Sequence, residues 1–146
     1  MKTRLVLFVF VLALLPVIAH AATTCTVSAT SVAFGTVQFT TVNSTGTVTI
    51  NCNANDASIT VALSTGGNAS YSPRKMSSGT NKLQYNLYKD SAHTQIWGNG
   101  TSGTVTNTGS AVANVALKFT VFGQVPAQAL PAPGSYTDSI TVALTY

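Results

Sequence analysis

Few side chains in this sequence could carry acid–base or nucleophilic chemistry. Beyond residue 21 the chain has three carboxylates and one imidazole, Asp56, Asp90, Asp138 and His93, and glutamate is absent throughout. A Ser-His-Asp hydrolase often places its serine in a Gly-x-Ser-x-Gly turn, and the sequence has no such motif. His93 lies in a polar stretch typical of an exposed loop, while Asp90 and Asp138 are typical of turn or hydrogen-bonding residues. We therefore predict that the protein is not an enzyme.

The two cysteines, Cys25 and Cys52, are the next candidates for chemistry. They enclose 26 residues, and they could form a disulfide, remain free thiols or contribute to a metal site. A tetrahedral zinc site needs four ligands, which two cysteines and the distant His93 do not supply. A disulfide closing this loop would persist in an oxidising compartment and stabilise the fold by about 3–4 kcal/mol. We predict this disulfide, no metal and, because no glycine-rich phosphate loop is found, no cofactor.

An aromatic residue followed by amides and glycines offers a candidate ligand contact. Trp97 precedes Gly98-Asn99-Gly100, and an indole face beside an amide suits stacking on a sugar. Trp97 and Asn99 are therefore possible contacts to a carbohydrate. The alternative is that Trp97 covers one end of the hydrophobic core and contacts no ligand.

Residues 71–76, Tyr-Ser-Pro-Arg-Lys-Met, combine an aromatic ring with two cations. They could form a basic and aromatic contact patch, or Arg74 could have a structural role by pairing with Asp90 or Asp138. Two cations are too few for a nucleic-acid interface. The residues from 22 onward carry five basic and three acidic side chains, a net charge of +2, so we predict no nucleic-acid partner.

The N-terminal residues predict export. Lys2 and Arg4 precede an apolar run over residues 5–19, and Ala19-His20-Ala21 has the small-x-small pattern at which signal peptidase cuts. The apolar run is too short to span a bilayer well. We predict a signal peptide over residues 1–21 and one exported domain over residues 22–146.

Apolar and polar residues alternate with a period of two along most of the predicted domain, which indicates β-strands. The alternating segments are residues 25–29, 48–52, 59–63, 83–87, 115–121 and 140–146. Turn-forming residues separate them, at 43–46, 53–56, 66–68, 77–79, 98–100, 107–110 and 131–134. Six or seven short strands of this kind predict an antiparallel β-sandwich, with residues 98–110 as a long exposed hairpin or loop.

The last predicted strand runs to the final residue with its apolar face intact. Nothing after it could cover that face. The strand is either docked inside a sheet, or it lies beside a gap that a partner fills.

The motifs along the predicted domain form a specific ordered set. They are Cys25-Thr26-Val27, Phe34-Gly35, Cys52, residues 71–76, residues 83–90, Trp97-Gly98, Phe122-Gly123, Pro126 and residues 133–138, followed by Tyr146. This set resembles the spore coat U domain family, which includes subunits of archaic chaperone–usher pili. The resemblance covers almost all of residues 22–146.

The resemblance implies an immunoglobulin-like antiparallel β-sandwich that is incomplete because it lacks its final strand. The resemblance implies that a periplasmic chaperone lends a strand to the gap and that, in the pilus, the N-terminal extension of the next subunit replaces it. An outer-membrane usher is a further expected partner. Ile140, Val142 and Leu144 are expected to line this groove, and the carboxylate after Tyr146 to anchor in the chaperone. The partners would be proteins, with no small-molecule cofactor.

One feature departs from the family pattern. A subunit that donates a strand needs about ten alternating residues ahead of its first cysteine, and here only Ala22, Thr23 and Thr24 precede Cys25 in the predicted mature chain. Three residues reach about 10 Å. We therefore expect a subunit that accepts a strand and donates none, located at the fibre tip and supporting adhesion or biofilm formation.

Two alternatives remain at this point. The chain could be an autonomous secreted coat-like protein whose sandwich closes by itself, or a carbohydrate-binding module that uses Trp97. All three hypotheses place the protein outside the cytoplasm, either in a cell-surface fimbria reached through the periplasm or in the extracellular medium.

Overall fold

The computed structural model describes residues 22–146, so the predicted signal peptide lies outside the described residues. The regular elements of this part of the chain are β-strands. They are β1 (Cys25–Ala29), β2 (Val42–Cys52), β3 (Asp56–Leu63), β4 (Arg74–Ser78), β5 (Asn81–Tyr88), β6 (Asn107–Ala111), β7 (Leu117–Val125) and β8 (Val142–Thr145). Within the described residues, no helix is long and apolar enough to cross a membrane.

The strands form two antiparallel sheets of unequal width. The larger sheet has the order β1-β2-β7-β5-β4, and the smaller has the order β6-β3-β8. The longest pairing joins β2 to β7, from Val42 opposite Val125 to Ile50 opposite Leu117. This arrangement confirms the predicted all-β, immunoglobulin-like antiparallel fold.

The core lies between the two sheets, where alternate residues of each strand meet. Ile50 on β2 and Ile59 on β3 are both fully buried, and they come from opposite sheets. Burying one such side chain contributes about 1.5–3 kcal/mol, so these alternating positions hold the layers together. The hydroxyl-bearing residues between them, such as Thr49, point to the outer face.

The sequence analysis did not predict β4 or β6, and it wrongly predicted turns in two segments that lie inside strands. Residues 43–46 lie inside β2 and residues 107–110 lie inside β6. β6 is held chiefly by backbone pairing with β3, because Ala111 is its only fully buried side chain. The inner face of β4 carries Arg74 and Met76. Neither β4 nor β6 shows the apolar alternation by which a strand is recognised.

Val115 was predicted to face inward on the strand that became β7, and this was wrong. β7 begins only at Leu117. Val115 closes a turn by donating its backbone N–H to Val112 O at 3.0 Å, and its side chain is 55% exposed.

The chain after β1 crosses the inner face of the large sheet. Val32 and Phe34 pack against Gly46 and Gly123, which occupy inward positions on β2 and β7. A Cβ at Gly123 would lie 2.5 Å from Val32 Cγ1 and 2.9 Å from Phe34 Cζ. Glycine is therefore required in mid-strand because the crossing segment occupies the space of a side chain. This close approach explains why Gly46 is not a turn residue.

The predicted disulfide is confirmed. Cys25, the first residue of β1, is bonded to Cys52, the last residue of β2, across a sequence separation of 27. The two residues are direct register partners, so the bond ties β1 to β2, the strand beside it in the sheet.

We predict that a Cys25→Ser, Cys52→Ser double variant unfolds at a lower temperature than the native domain. Loss of the loop constraint should remove about 3–4 kcal/mol, which corresponds to a shift of about 10 °C for a domain of this size. The measurement is thermal unfolding followed by circular dichroism. Replacing both cysteines leaves no free thiol to form dimers, and equal melting temperatures would show that the bond does not stabilise the fold.

Candidate functional site

One edge of the small sheet is open. β8 pairs with β3 on one side, and among the described residues no strand pairs with its other side. Thr141 bonds to Ser64 through both backbone groups: its O accepts from Ser64 N at 3.0 Å and its N donates to Ser64 Oγ at 2.9 Å. Backbone groups alternate sides along a strand. The residues that direct their N–H and C=O groups to the open side are therefore Ile140, Val142 and Leu144.

Within residues 22–146 the facing edge of the large sheet is open as well. β1 is an edge strand, and after it Thr30 N still donates to Thr47 O at 2.9 Å. By the same alternation, Val27 and Ala29 direct their backbone groups away from β2. Val27 has its side chain on the inward face, in register with Ile50, yet it is 38% exposed because nothing covers that end of the face.

A cavity of about 410 Å³ lies between these two edges. Its walls include Ala29 from β1 and Val142 from β8, and its floor includes core residues of both sheets: Val48, Leu63, Leu87 and Val121. A second cavity of about 700 Å³ continues from it between residues 32–37 and 130–136. The two cavities share Val32, Phe34, Met76 and Tyr136. We call this continuous depression the open groove.

The residues predicted to line a strand-binding groove occupy different places along it. Ile140 and Val142 line the first cavity and are partly buried. Leu144 is also partly buried, but it packs on the core opposite Val61 rather than in the cavity wall. Tyr146 follows the end of β8 and is 47% exposed.

The wall of the groove carries one carboxylate, Asp138. It accepts hydrogen bonds from Tyr85 Oη at 2.7 Å and from the backbone N of Gly67 and Ser139, both at 2.8 Å. A Cβ at Gly66 would collide with this carboxylate, and the φ of +77° at Gly66 also favours glycine. Burial, together with the hydrogen bond to Asp138, raises the pKa of Tyr85, so the phenol remains a donor. Asp138 thus joins the groove wall to the connection between β3 and β4.

Arg74 is fully buried and does not form the predicted pair with Asp90 or Asp138. Its guanidinium donates to Ser64 O at 2.8 and 3.1 Å, to Trp97 O at 2.7 Å and to Asn86 Oδ1 at 2.8 Å. Desolvation lowers the pKa of Arg74, although an arginine remains charged in proteins. The basic contact patch is also wrong, because Arg74 is inside the sandwich.

The tyrosine next to this arginine contributes to the same buried network. Arg74 Cζ lies 5.0 Å from the centroid of the Tyr71 ring, within the range of a cation–π contact. Tyr71 Oη donates to Leu63 O at 3.1 Å, and Asn86 Nδ2 donates to Tyr71 O at 2.8 Å. The network therefore links the end of β3 to β4 and β5, beside the floor of the open groove.

The two candidate carbohydrate contacts lie apart from the open groove. Trp97 has no exposed surface, packs edge-on against Phe119 and donates its indole N–H to Val61 O at 2.9 Å. It therefore belongs to the core, as the alternative interpretation held, and offers no face to a sugar. Asn99 is exposed, but its Oδ1 accepts from the N and Oγ1 of Thr101 within the same turn.

The remaining polar candidates stabilise a loop. Asp90 accepts from Gln95 N at 2.8 Å and from Thr94 Oγ1 at 2.7 Å, and the backbone hydrogen bond from Gln95 lowers the pKa of Asp90. His93 lies in this loop as predicted, but its ring packs edge-on against Tyr88 and Phe122. Within residues 22–146, no group of three His, Cys, Asp or Glu side chains is placed to hold a metal ion.

The geometry of the open groove fits an extended polypeptide. Both walls present a strand edge and the floor is apolar. The segment from Tyr136 to Tyr146, of which Val142–Thr145 is β-strand, spans at most about 33 Å at about 3.3 Å per residue. A strand of about eleven residues could pair with both edges and cover the core with its alternate side chains. The apolar alternation of β8 allowed one wall of the groove to be predicted from the sequence. The opposite wall is recognised only from the position of residues 29–34 in the structure.

Comparison with known protein families identifies one domain family. A family model described as "SCPU: Spore Coat Protein U domain" matches residues 11–143. No curated protein matches the chain.

Among solved structures, the chain is similar to one in the crystal structure of the CsuC–CsuE chaperone–tip adhesion subunit pre-assembly complex from archaic chaperone–usher Csu pili of Acinetobacter baumannii. The sequence identity is 25% and the TM-score is 0.56. The alignment covers 86% of this chain and 40% of that chain, so the present chain corresponds to less than half of that protein's length.

Proposed function

The chain belongs to the Spore Coat Protein U domain family, and on that premise we propose that it is an exported structural subunit of an archaic chaperone–usher pilus. Its partners would be a periplasmic chaperone, an outer-membrane usher and other subunits of the fibre, and its location would be a cell-surface fimbria. Its task would be mechanical rather than enzymatic: it accepts a strand in the open groove.

The open groove is the observation that carries this proposal. An unpaired strand edge invites uncontrolled association, and here the free edges of β1 and β8 face each other across exposed core residues. Each apolar side chain left uncovered forfeits up to about 1.5–3 kcal/mol, and several such losses approach the 5–15 kcal/mol stability of a typical domain. A donated strand would supply main-chain hydrogen bonds on both sides and cover the floor.

The structural neighbour supports partners of the same kind. That structure is described as a complex of a chaperone with a tip adhesion subunit. The alternative of an autonomous secreted coat-like protein requires a sandwich that is stable with its groove empty. The carbohydrate-binding alternative loses its main support because Trp97 is buried.

The experiment that tests the proposal is thermal unfolding of residues 22–146, purified without a chaperone. Unfolding is measured with and without an eleven-residue peptide that has valine at every second position. We expect a low-melting or aggregating domain that the peptide stabilises, because the peptide covers the groove. A peptide of the same composition with its valines grouped at one end is the control. A domain that melts at a high temperature and ignores both peptides would contradict the proposal and favour the coat-like alternative.

We predict that Val142→Asp abolishes formation of a complex with the chaperone during periplasmic co-expression. The variant places a charge in the apolar wall of the groove, where it has no partner. Ala143→Asp is the matched control, because Ala143 is the next residue of the same strand and its side chain is exposed. Co-purification measures the complex.

The two variants separate groove binding from general damage to β8. We expect normal complex yield for Ala143→Asp and none for Val142→Asp. Normal yield for both variants would refute the assignment of Val142 to the groove.

The position of the subunit in the fibre depends on where the mature chain starts. We propose the tip, because cleavage after Ala21 leaves three residues ahead of Cys25. The family match begins at residue 11, inside the predicted signal peptide. We predict that intact-mass measurement of the exported protein gives Ala22 as the first residue. A mature chain that starts near residue 11 would retain a segment able to act as a donor strand and would contradict the tip assignment.

A role in adhesion or biofilm formation is part of the proposal. A tip subunit meets the external surface first, so its loss should reduce attachment of the producing cells. This reduced attachment would accompany the loss of chaperone binding that we expect for Val142→Asp.

A further inference from the structure

Along the β8 wall of the open groove, the inward-facing side chains are apolar or aromatic except at one position, Asp138. Tyr136, Asp138, Ile140 and Val142 follow one another at intervals of two along the wall, and all four line the first cavity. Three of these side chains are apolar or aromatic and one is a carboxylate. An occupant that covers the wall must therefore cover Asp138 as well.

The carboxylate is held in place by neutral donors only. Tyr85 Oη, Gly67 N and Ser139 N use three of the roughly four acceptor positions that an ionised carboxylate offers. The nearest arginine in this network, Arg74, gives its hydrogen bonds to Ser64, Asn86 and Trp97 instead. Among the described residues no cation contacts Asp138, although Arg74 lies close enough to attract its charge, and the carboxylate retains acceptor capacity.

Covering such a group with an apolar side chain is unfavourable. Asp138 is partly exposed, and an occupant strand would shield its carboxylate from water. An occupant side chain with an N–H or O–H group could replace the lost hydrogen bond, whereas an apolar side chain could not. A carboxylate on the occupant would add like-charge repulsion.

We propose that Asp138 selects the strand that enters the open groove, by requiring a hydrogen-bond donor at one position of an otherwise apolar face. The inference rests on the proposed function and adds the chemistry of the partner. The donor residue is a threonine, serine or lysine rather than a valine or a glutamate, and it faces Asp138.

The register of the wall locates this residue. The occupant side chain next to Ile140 is apolar, and the donor lies two residues further, on the side away from Val142. In a strand antiparallel to β8 this position is near the C-terminal end of the occupant. In a parallel strand it is near the N-terminal end.

The test is a peptide scan on the native domain. Eleven-residue peptides of alternating valines are compared with variants in which each inward valine in turn becomes threonine, which has the same shape but adds a hydroxyl. We expect affinity to fall about tenfold at positions over the apolar floor, because a hydroxyl is buried without a partner. At the position over Asp138 we expect no loss, or a gain, and a further gain when that residue is lysine.

The scan separates two kinds of failure. If every threonine peptide binds more weakly than the all-valine peptide by the same factor, Asp138 does not select the occupant. The inference is then wrong, but the open groove still binds a strand. If no peptide binds at all, the proposed function fails and the inference falls with it.

A domain variant assigns the effect to the carboxylate. In Asp138→Asn the all-valine peptide reports whether the groove is intact, and the preference for lysine should disappear while that for threonine is reduced. A lysine preference that persists in this variant would overturn the proposal. If the variant does not fold, glutamine is replaced by glutamate in the peptide over Asp138 and, as a control, over the apolar floor. We expect the larger loss, more than tenfold, over Asp138, and equal losses at the two positions would overturn the proposal.

Discussion

The burial of an apolar core between two sheets of unequal width is the constraint on which the rest of this structure depends. In the described part of the chain the large sheet has five strands and the small sheet three, so one margin of the core has no strand above it there. The edges of β1 and β8 border that margin. Among residues 22–146, main-chain groups on both edges lack a strand partner, and an added strand could supply one.

The chain covers part of this margin with its own residues. Val32 and Phe34 cross the inner face of the large sheet over Gly46 and Gly123, and Phe34 packs edge-on against Tyr85. The same tyrosine donates to Asp138 on the opposite wall. The two walls of the groove are therefore connected through the side chain of Tyr85, which contacts Phe34 on one side and Asp138, ahead of β8, on the other.

The sequence allowed most of the fold to be predicted, because inward-facing residues such as Ile50, Ile59 and Val121 alternate with hydroxyl-bearing ones. It did not reveal β4 or β6. β6 is held by backbone hydrogen bonds that carry no side-chain signature, and β4 buries an arginine that composition assigns to the surface. Arg74 is satisfied by carbonyl oxygens from distant segments, and no pattern in the sequence indicates that those oxygens converge.

The site divides in the same way. The sequence by itself determined the sheet class, the cysteine pair and one apolar wall, since each depends on local periodicity or on the identity of two residues. Only the tertiary structure decided that Trp97 is buried, that β1 forms the facing wall and that Asp138 faces the open groove. These features depend on contacts between segments far apart in the chain, and such contacts exist only after the two sheets have packed.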